Sequence, residues 1–271
     1  MTFFKPTLAA MLLLCASLNA AAHEFWMWPN TFALQPGGEL RLSLLVGERF
    51  EGQLTGFGRH QARGLRHYSA ASPVDLMAQV PQQDQADFAL RLRRPGTHVI
   101  AYDSAANLAD LPADKFNAYL ADEGLEHIAR QREASGAANT PGRERFSRNV
   151  KTMISVGGRT DASYRVRTGQ RLEIVPLADP LKAAAPATLR FRLLFDNKPL
   201  AQALLKAWHK QDGKLVTARA RSDAQGRLSL TLPHAGPWML SVVHMIPATG
   251  VPDLDWDSYW GNLIFALPAR R

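Results

Sequence analysis

Short alternating runs of apolar and polar side chains, bounded by proline and glycine, are the feature that most constrains the fold of this chain. Large apolar residues occupy every second position at 40–44 and again at 88–92, and turn residues flank these runs at 36–38 and 95–96. Because successive side chains of a strand point to opposite faces, this period is typical of strands with one buried face. We predict a mainly β protein of antiparallel β-sandwich architecture.

The runs fall into two groups, and these predict two antiparallel β-sandwich domains of immunoglobulin-like or transthyretin-like type, at 23–160 and 161–271. In the second group, turns separate the strands expected at 189–195, 204–208 and 238–244. Such hairpin-sized units are common in extracellular modules and specify the fold more than the function.

One segment, at about 112–134, has helical spacing instead. Its apolar positions fall near one helical face: Phe116, Tyr119, Leu120, Leu125 and Ile128. Pro112 suits the first turn of a helix, and acidic residues early with arginines late complement the helix dipole. We predict one amphipathic helix inserted into the N-terminal sandwich.

The first 22 residues have the organisation of a secretory signal peptide. Lys5 provides a positive start, Leu12, Leu13 and Leu14 lie in a short apolar region, and small residues at 20–22 provide a cleavage site. The apolar stretch is much shorter than the roughly 20 residues that span a bilayer. We predict a periplasmic protein whose mature form begins at His23.

Composition narrows the ligands and partners available to the mature protein. The only cysteine, Cys15, lies in the predicted signal peptide, so disulfides and thiolate ligands are excluded after cleavage. The formal net charge is +8 and the pI is about 9.9. Because the basic residues are spread along the strands, this charge argues against nucleic acid and favours contact with an anionic membrane surface or an acidic partner.

His23 is the residue that most strongly indicates a chemical function. As a new amino terminus, its α-amine and its imidazole can chelate one metal ion, and imidazole suits copper, nickel, cobalt and zinc. The alternative is that the cleavage site merely precedes a histidine. The residues alone leave both interpretations open.

Other histidines provide weaker candidates. His244 lies on the Trp238 face of its strand and is either a buried core residue or a ligand, whereas His209 is expected at the surface. His127 and Glu123 are one helical turn apart, which fits an ordinary helix-face pair or a ligand pair. The remaining four histidines have no evident companion: His60, His67, His98 and His234.

Recognisable catalytic motifs are absent from the sequence. It contains no G-x-S-x-G elbow, no H-E-x-x-H motif and no phosphate-binding loop. We therefore predict a non-enzymatic protein, with a copper oxidase using the terminal histidine as the remaining enzymatic alternative. The aromatic groups at Trp26, Trp28 and 256–260 fit either a sugar-binding platform or, as we favour, buried clusters.

The chain resembles an exported bacterial family of unknown function that is described as the periplasmic component of cobalt or nickel transport systems. The motifs that carry the resemblance are His23-Glu24-Phe25-Trp26, Val46-Gly47-Glu48, 115–120, 123–126, 142–148, 175–180, Gly236-Pro237-Trp238 and Val243-His244-Met245. The resemblance implies two β-sandwiches and a site for nickel, cobalt or copper. It also implies His23, His244 and Glu48 as the metal ligands.

Two functions of different classes follow from these expectations. The first is a periplasmic binding or delivery protein for a transition-metal cation, working with metal-transporter subunits or an outer-membrane receptor. The second is a non-enzymatic module that binds carbohydrate or another cell-envelope component through the paired tryptophans and the basic surface.

Overall fold

The computed structural model describes residues 24–270, so the predicted signal peptide, His23 and Arg271 lie outside the described residues. The first strands are β1 (Glu24–Pro29), β2 (Ala33–Leu34), β3 (Gly38–Glu48), β4 (Glu51–Thr55), β5 (Ala62–Tyr68), β6 (Val74–Asp75), β7 (Phe88–Leu92), β8 (Gly96–Ser104), β9 (Asn107–Leu111) and β10 (Gly142–Val156). The later strands are β11 (Leu172–Pro176), β12 (Ala187–Phe195), β13 (Lys198–Pro199), β14 (Leu204–Gln211), β15 (Lys214–Arg221), β16 (Arg227–Leu232), β17 (Gly236–Pro247) and β18 (Trp256–Leu267). Two helices, α1 (Ala113–Asp122) and α2 (Glu126–Ala134), precede β10, and short 3-10 turns occur at Met77–Gln79 and Ala162–Arg165.

Within residues 24–270 the strands form three sheets, and the largest extends through both halves of the chain. Its ten strands have the order β15-β14-β17-β18-β10-β8-β5-β6, with β2 and β9 also paired to β10. One four-stranded sheet contains β1, β3, β4 and β7, and the other contains β11, β12, β13 and β16. The ten-stranded sheet is therefore the central layer of the molecule.

The two smaller sheets cover opposite faces of this central layer. On β10, Val150 and Ile154 face an N-terminal core formed with β1 and β3, whereas Met153 faces a C-terminal core formed with β11 and β12. On β17, Met245 packs under the helices, and Val242 packs into the C-terminal core. The helices and the N-terminal sheet thus lie side by side on one face of the central sheet.

These features confirm the predicted mainly β sandwich fold and add the sheet that the two sandwiches share. The junction is a parallel pairing of β10 with β18, in which Glu144 lies opposite Trp256 and Thr152 opposite Ile264. Most other pairings are antiparallel, as expected. None of the described helices is long and apolar enough to cross a membrane.

The segment predicted as one helix forms two. Gly124, between α1 and α2, has a φ of +70°, which L-residues with side chains disfavour and which ends α1. The predicted apolar face is buried as expected, because both helices place it on β17 and β18: Phe116, Tyr119, Leu120, Leu125 and Ile128. The predicted helical period was correct, but the period does not indicate that the helix is interrupted at Gly124.

Candidate functional site

A buried group of charged side chains lies where the start of β1 meets the helices above the central sheet. The Nζ atom of Lys206 lies 2.6 Å from Oε1 of Glu123 and 3.1 Å from Oδ2 of Asp122. It also lies 3.9 Å from Oε1 of Glu24. We call these four residues the carboxylate cluster. Only Asp122 is well exposed, so three carboxyl groups surround one ammonium group in a site that is largely closed to solvent.

Three separate elements build the cluster. Glu24 begins β1, and Asp122 and Glu123 end α1. Lys206 lies on β14 between Leu205 and Ala207, which face the C-terminal core, so its own side chain points to the opposite face. Carboxylates at the carboxyl end of a helix oppose its dipole, and the ammonium group of Lys206 compensates for that placement.

Burial dominates the electrostatics of the cluster. It raises the pKa of the Glu24 carboxyl. Together with the charge of Glu24, it raises the pKa of Glu123 to about 8. Burial also disfavours the charge on Lys206, but the carboxylates of Glu123 and Glu24 outweigh it and raise the pKa of the lysine. Lys206 therefore keeps its charge, and the Glu123 carboxyl binds a proton more readily than an exposed glutamate does.

One oxygen of the cluster lacks a partner. Oε2 of Glu123 is buried and accepts no hydrogen bond from any residue in the range 24–270. Leaving a buried polar atom unpaired costs about 1–3 kcal/mol, so such atoms are uncommon in folded proteins. This oxygen is free to take part in binding a ligand.

The cluster forms the floor of a cavity of about 840 Å³. Glu24, Glu123, Tyr119 and Trp208 are buried residues of its lining. Toward solvent its lining includes Glu48, Arg49, Lys115, Asp122, Leu215, Thr217 and Arg219. The cavity thus has an acidic floor and a rim that carries both signs of charge.

The structure brings one predicted ligand to this cavity. Glu48 ends β3 and lines the cavity, one residue beyond Gly47, which pairs with Glu24. His23 lies outside the described residues. Lys206 and Glu123 were not predicted as companions of Glu48, because they are distant along the chain and meet only through the packing of α1 and β14.

His244 lies elsewhere. Its side chain has the same orientation as that of Val242, toward the C-terminal core, whereas Ser241 on the other face is near Glu24. The His244 ring packs 4.4 Å from the ring of Phe195 and 6.3 Å from that of His127, measured between centroids. Burial and the neighbouring His127 lower the pKa of His244 to about 4. It does not line the cavity that contains Glu48.

Two expectations about histidines were wrong. His127 and Glu123 do not form a helix-face pair, because the break at Gly124 places His127 in α2, beside His244, and leaves Glu123 with Lys206. His209 is not at the surface but 3% exposed, stacked on Trp238 and bonded through Nδ1 to the carbonyl of Pro237.

A histidine pair that the sequence did not suggest joins β5 to β8. Nε2 of His67 lies 2.7 Å from Nδ1 of His98, and Nε2 of His98 donates to the carbonyl of Arg94 at 2.8 Å. These bonds fix the tautomers, because His98 must accept from His67 on its remaining nitrogen. Burial lowers the pKa of both rings, that of His67 to about 4 with a contribution from His98.

The tryptophans form the expected buried clusters, with one opening to the surface. Trp256 and Trp260 are each 7% exposed and pack under the helices. Trp26 and Trp28 line a second cavity of about 340 Å³ together with Phe50 and His209. Within the part of the chain that the structure describes, no three histidine, cysteine, aspartate or glutamate side chains form a group able to hold a metal ion.

Comparison with known proteins gives one family match. Residues 20–246 match the profile of a family described as a domain of unknown function, DUF4198. No curated protein matches the sequence significantly.

Three solved structures align with most of the chain at low similarity. Trypsin-activated α2-macroglobulin from Escherichia coli aligns with 10% identity and a TM-score of 0.23, over 92% of this chain and 16% of that one. The same protein activated by porcine elastase gives 10% identity and a TM-score of 0.23, over 92% and 20%. Dimeric latent PorU from Porphyromonas gingivalis gives 11% identity and a TM-score of 0.21, over 93% and 21%. The chain thus spans about a fifth or less of the length of these proteins.

Proposed function

This chain belongs to the DUF4198 family, and we propose that it is a periplasmic binding or delivery protein for a transition-metal cation, nickel, cobalt or copper. Its partners would be the subunits of a metal transporter or an outer-membrane receptor. The metal is cargo in this proposal and takes part in no reaction.

The observation that carries the proposal is the acidic cavity at the first described residue of β1. His23 is covalently joined to Glu24, which lies on the floor of that cavity, and Glu48 lines the same cavity. The unpartnered Oε2 of Glu123 adds a carboxylate oxygen. An α-amine, an imidazole and carboxylate oxygens together are a nitrogen and oxygen donor set that nickel, cobalt and copper accept.

The charges of the floor also suit a divalent cation. Lys206 balances one of the carboxylates, and the burial that raises the pKa of Glu123 to about 8 favours the form of Glu123 that carries a proton. A bound cation would take the place of that proton, since metal ligands must be deprotonated. The described residues alone supply no complete ligand set, so the proposal requires His23.

The test is calorimetric titration of the mature protein with nickel, cobalt and copper, together with the N-terminal sequence of the secreted form. We expect binding to a protein that begins at His23. A form that retains Ala22 should bind at least about tenfold more weakly, a difference of about 1.4 kcal/mol, because its α-amine no longer belongs to the histidine. Glu48→Gln should also weaken metal binding, because it removes a carboxylate from the cavity.

His244→Asn is the matched control, because His244 faces the C-terminal core and should leave the affinity unchanged. Equal affinity of the forms that begin at Ala22 and His23 would contradict the chelating terminus. If none of the metals binds or raises the melting temperature, the aromatic cavity at Trp26 and Trp28 favours the carbohydrate- or envelope-binding alternative.

A further inference from the structure

We propose that the metal enters this cavity bound to a small anionic chelator bearing several carboxylates, and that Arg49, Lys115 and Arg219 hold the chelator. This inference rests on the proposed function, because it names the form in which the cargo is bound. It assigns a role to the rim of the cavity, which the metal ligands do not use.

The cavity is larger than a hydrated metal ion requires. A metal ion with six water ligands occupies about 200 Å³, taking about 30 Å³ for each water. The cavity volume of about 840 Å³ is several times larger and lies in the range of sites for small organic molecules. The volume therefore leaves room for an organic ligand between the floor and solvent.

The charges of the cavity are separated between its floor and its rim. Lys206 lies on the floor, and its ammonium group forms ion pairs with Glu123 and Asp122. Arg49, Lys115 and Arg219 are exposed lining residues, and none of them forms an ion pair with another residue in the range 24–270. Three cations that have no ion-pair partner among the described residues, around one opening, provide a binding surface for a polyanion.

Three separate elements supply these cations. Arg49 lies in the turn between β3 and β4, where its φ of +53° is fixed by the tight hairpin. Lys115 belongs to α1, and Arg219 to β15. Cations that approach from different sides suit a ligand with several carboxylates, and the arginine forks match carboxylate geometry.

The three basic side chains of the rim offer no ligand to a bare cation. A metal–polycarboxylate complex carries opposite charge on its two sides. Its open metal positions can face Glu48 and the floor, while its free carboxylate oxygens face the rim. The arrangement thus selects a chelate over the hydrated ion.

The experiment is equilibrium dialysis of the mature protein with nickel and radiolabelled citrate, with both nickel and label measured on the protein. We expect nickel and citrate to be retained together. Nickel bound to diethylenetriamine, a cationic chelate with open coordination positions, should be retained without its chelator or not at all.

The rim variant Arg49→Gln, Lys115→Gln, Arg219→Gln should lower citrate retention about tenfold, which corresponds to about 1.4 kcal/mol. The matched control is Arg93→Gln, Lys182→Gln, Arg190→Gln, which lowers the net charge by the same amount at exposed positions outside the cavity. The control should retain citrate as the native protein does. Circular dichroism of both variants verifies that they are folded.

The outcomes separate the two proposals. Retention of nickel with release of citrate would overturn the chelate and leave the metal-binding function standing. Retention of citrate without nickel, or equal loss in the rim variant and the control, would also overturn the inference. Failure to retain nickel from the free ion or from either chelate would overturn the proposed function itself.

Discussion

At the scale of single residues, histidines lie in stacked pairs that join separate strands and helices. His67 and His98 join β5 to β8, His127 and His244 join α2 to β17, and the ring of His234 lies 5.7 Å from that of His209. In the pair His67–His98, burial lowers the pKa of both rings, and this couples the stability of the fold to pH.

The pair His67–His98 should make the protein less stable in acid. In the unfolded chain His67 takes up a proton below its ordinary pKa of 6.5, whereas in the folded protein it does so only near pH 4. The free energy of unfolding should therefore fall as the pH drops from 6.5 to 4. His67→Gln keeps a hydrogen-bond donor for His98 but removes the ring that titrates. The free energy of unfolding is measured by urea unfolding at pH 7 and at pH 4. The decrease between these two pH values should be smaller in the variant by about 2 kcal/mol.

His60→Gln is the matched control, because His60 is an exposed histidine outside this pair, and it should not reproduce the effect of His67→Gln. An equal fall in stability for the native protein and for His67→Gln would show that this pair does not cause it.

Single residues also mark the limit of what the sequence predicts about the site. The resemblance identified Glu48, which does line the cavity. Lys206 was not identified, and Glu123 was considered only with His127, because Lys206 and Glu123 are 83 positions apart and no local pattern shows that they meet. One signal was present: Lys206 interrupts the apolar residues of β14, where a charge needs a buried partner.

At the scale of elements, the break between α1 and α2 determines where Glu123 lies. Apolar spacing predicted the buried face of the helices correctly, since that face depends on the period alone. The end of α1 depends instead on backbone conformation at Gly124, which periodicity does not report. The predicted strands fared better because proline and glycine turns delimit them.

Gly124→Ala should therefore destabilise the protein more than the same change at Gly136. Both glycines have a positive φ, +70° and +74°, so both changes carry a backbone strain of about 1–2 kcal/mol. A Cβ at position 124 would lie 2.7 Å from the Cβ of Leu204, whereas at 136 it would meet nothing within 4 Å. We expect an additional loss of about 1–3 kcal/mol at 124, measured by urea unfolding. Equal losses at the two positions would contradict tight packing of the α1–α2 turn on β14.

At the scale of the whole molecule, the shared central sheet makes the two cores one structure. The two sandwiches were predictable, because each strand carries its own alternation. The pairing of β10 with β18 was not, because it joins residues 112 positions apart and depends on how the halves dock. The alternation of apolar and polar residues within each strand does not predict the register between β10 and β18.

The protein should therefore unfold in a single transition. Leu42→Ala in the N-terminal core and Leu240→Ala in the C-terminal core remove fully buried side chains, and each should cost about 2–5 kcal/mol. Each should shift the same urea midpoint, followed by far-UV circular dichroism and tryptophan fluorescence, without changing the slope. Leu108→Ala, at a side chain that is 70% exposed, is the control. A second transition in either core variant would show that the halves unfold separately.

The position of β18 inside the central sheet also bears on how the polypeptide is made. This strand, at Trp256–Leu267, lies between β17 and β10 and contributes to the C-terminal core. Until the ribosome has synthesised residue 267, β10 and β17 lack a neighbour and expose open edges that can pair with other chains. The chain can thus complete its native topology only when its C-terminal strand is present, and until then the unpaired edges of β10 and β17 favour pairing with other chains.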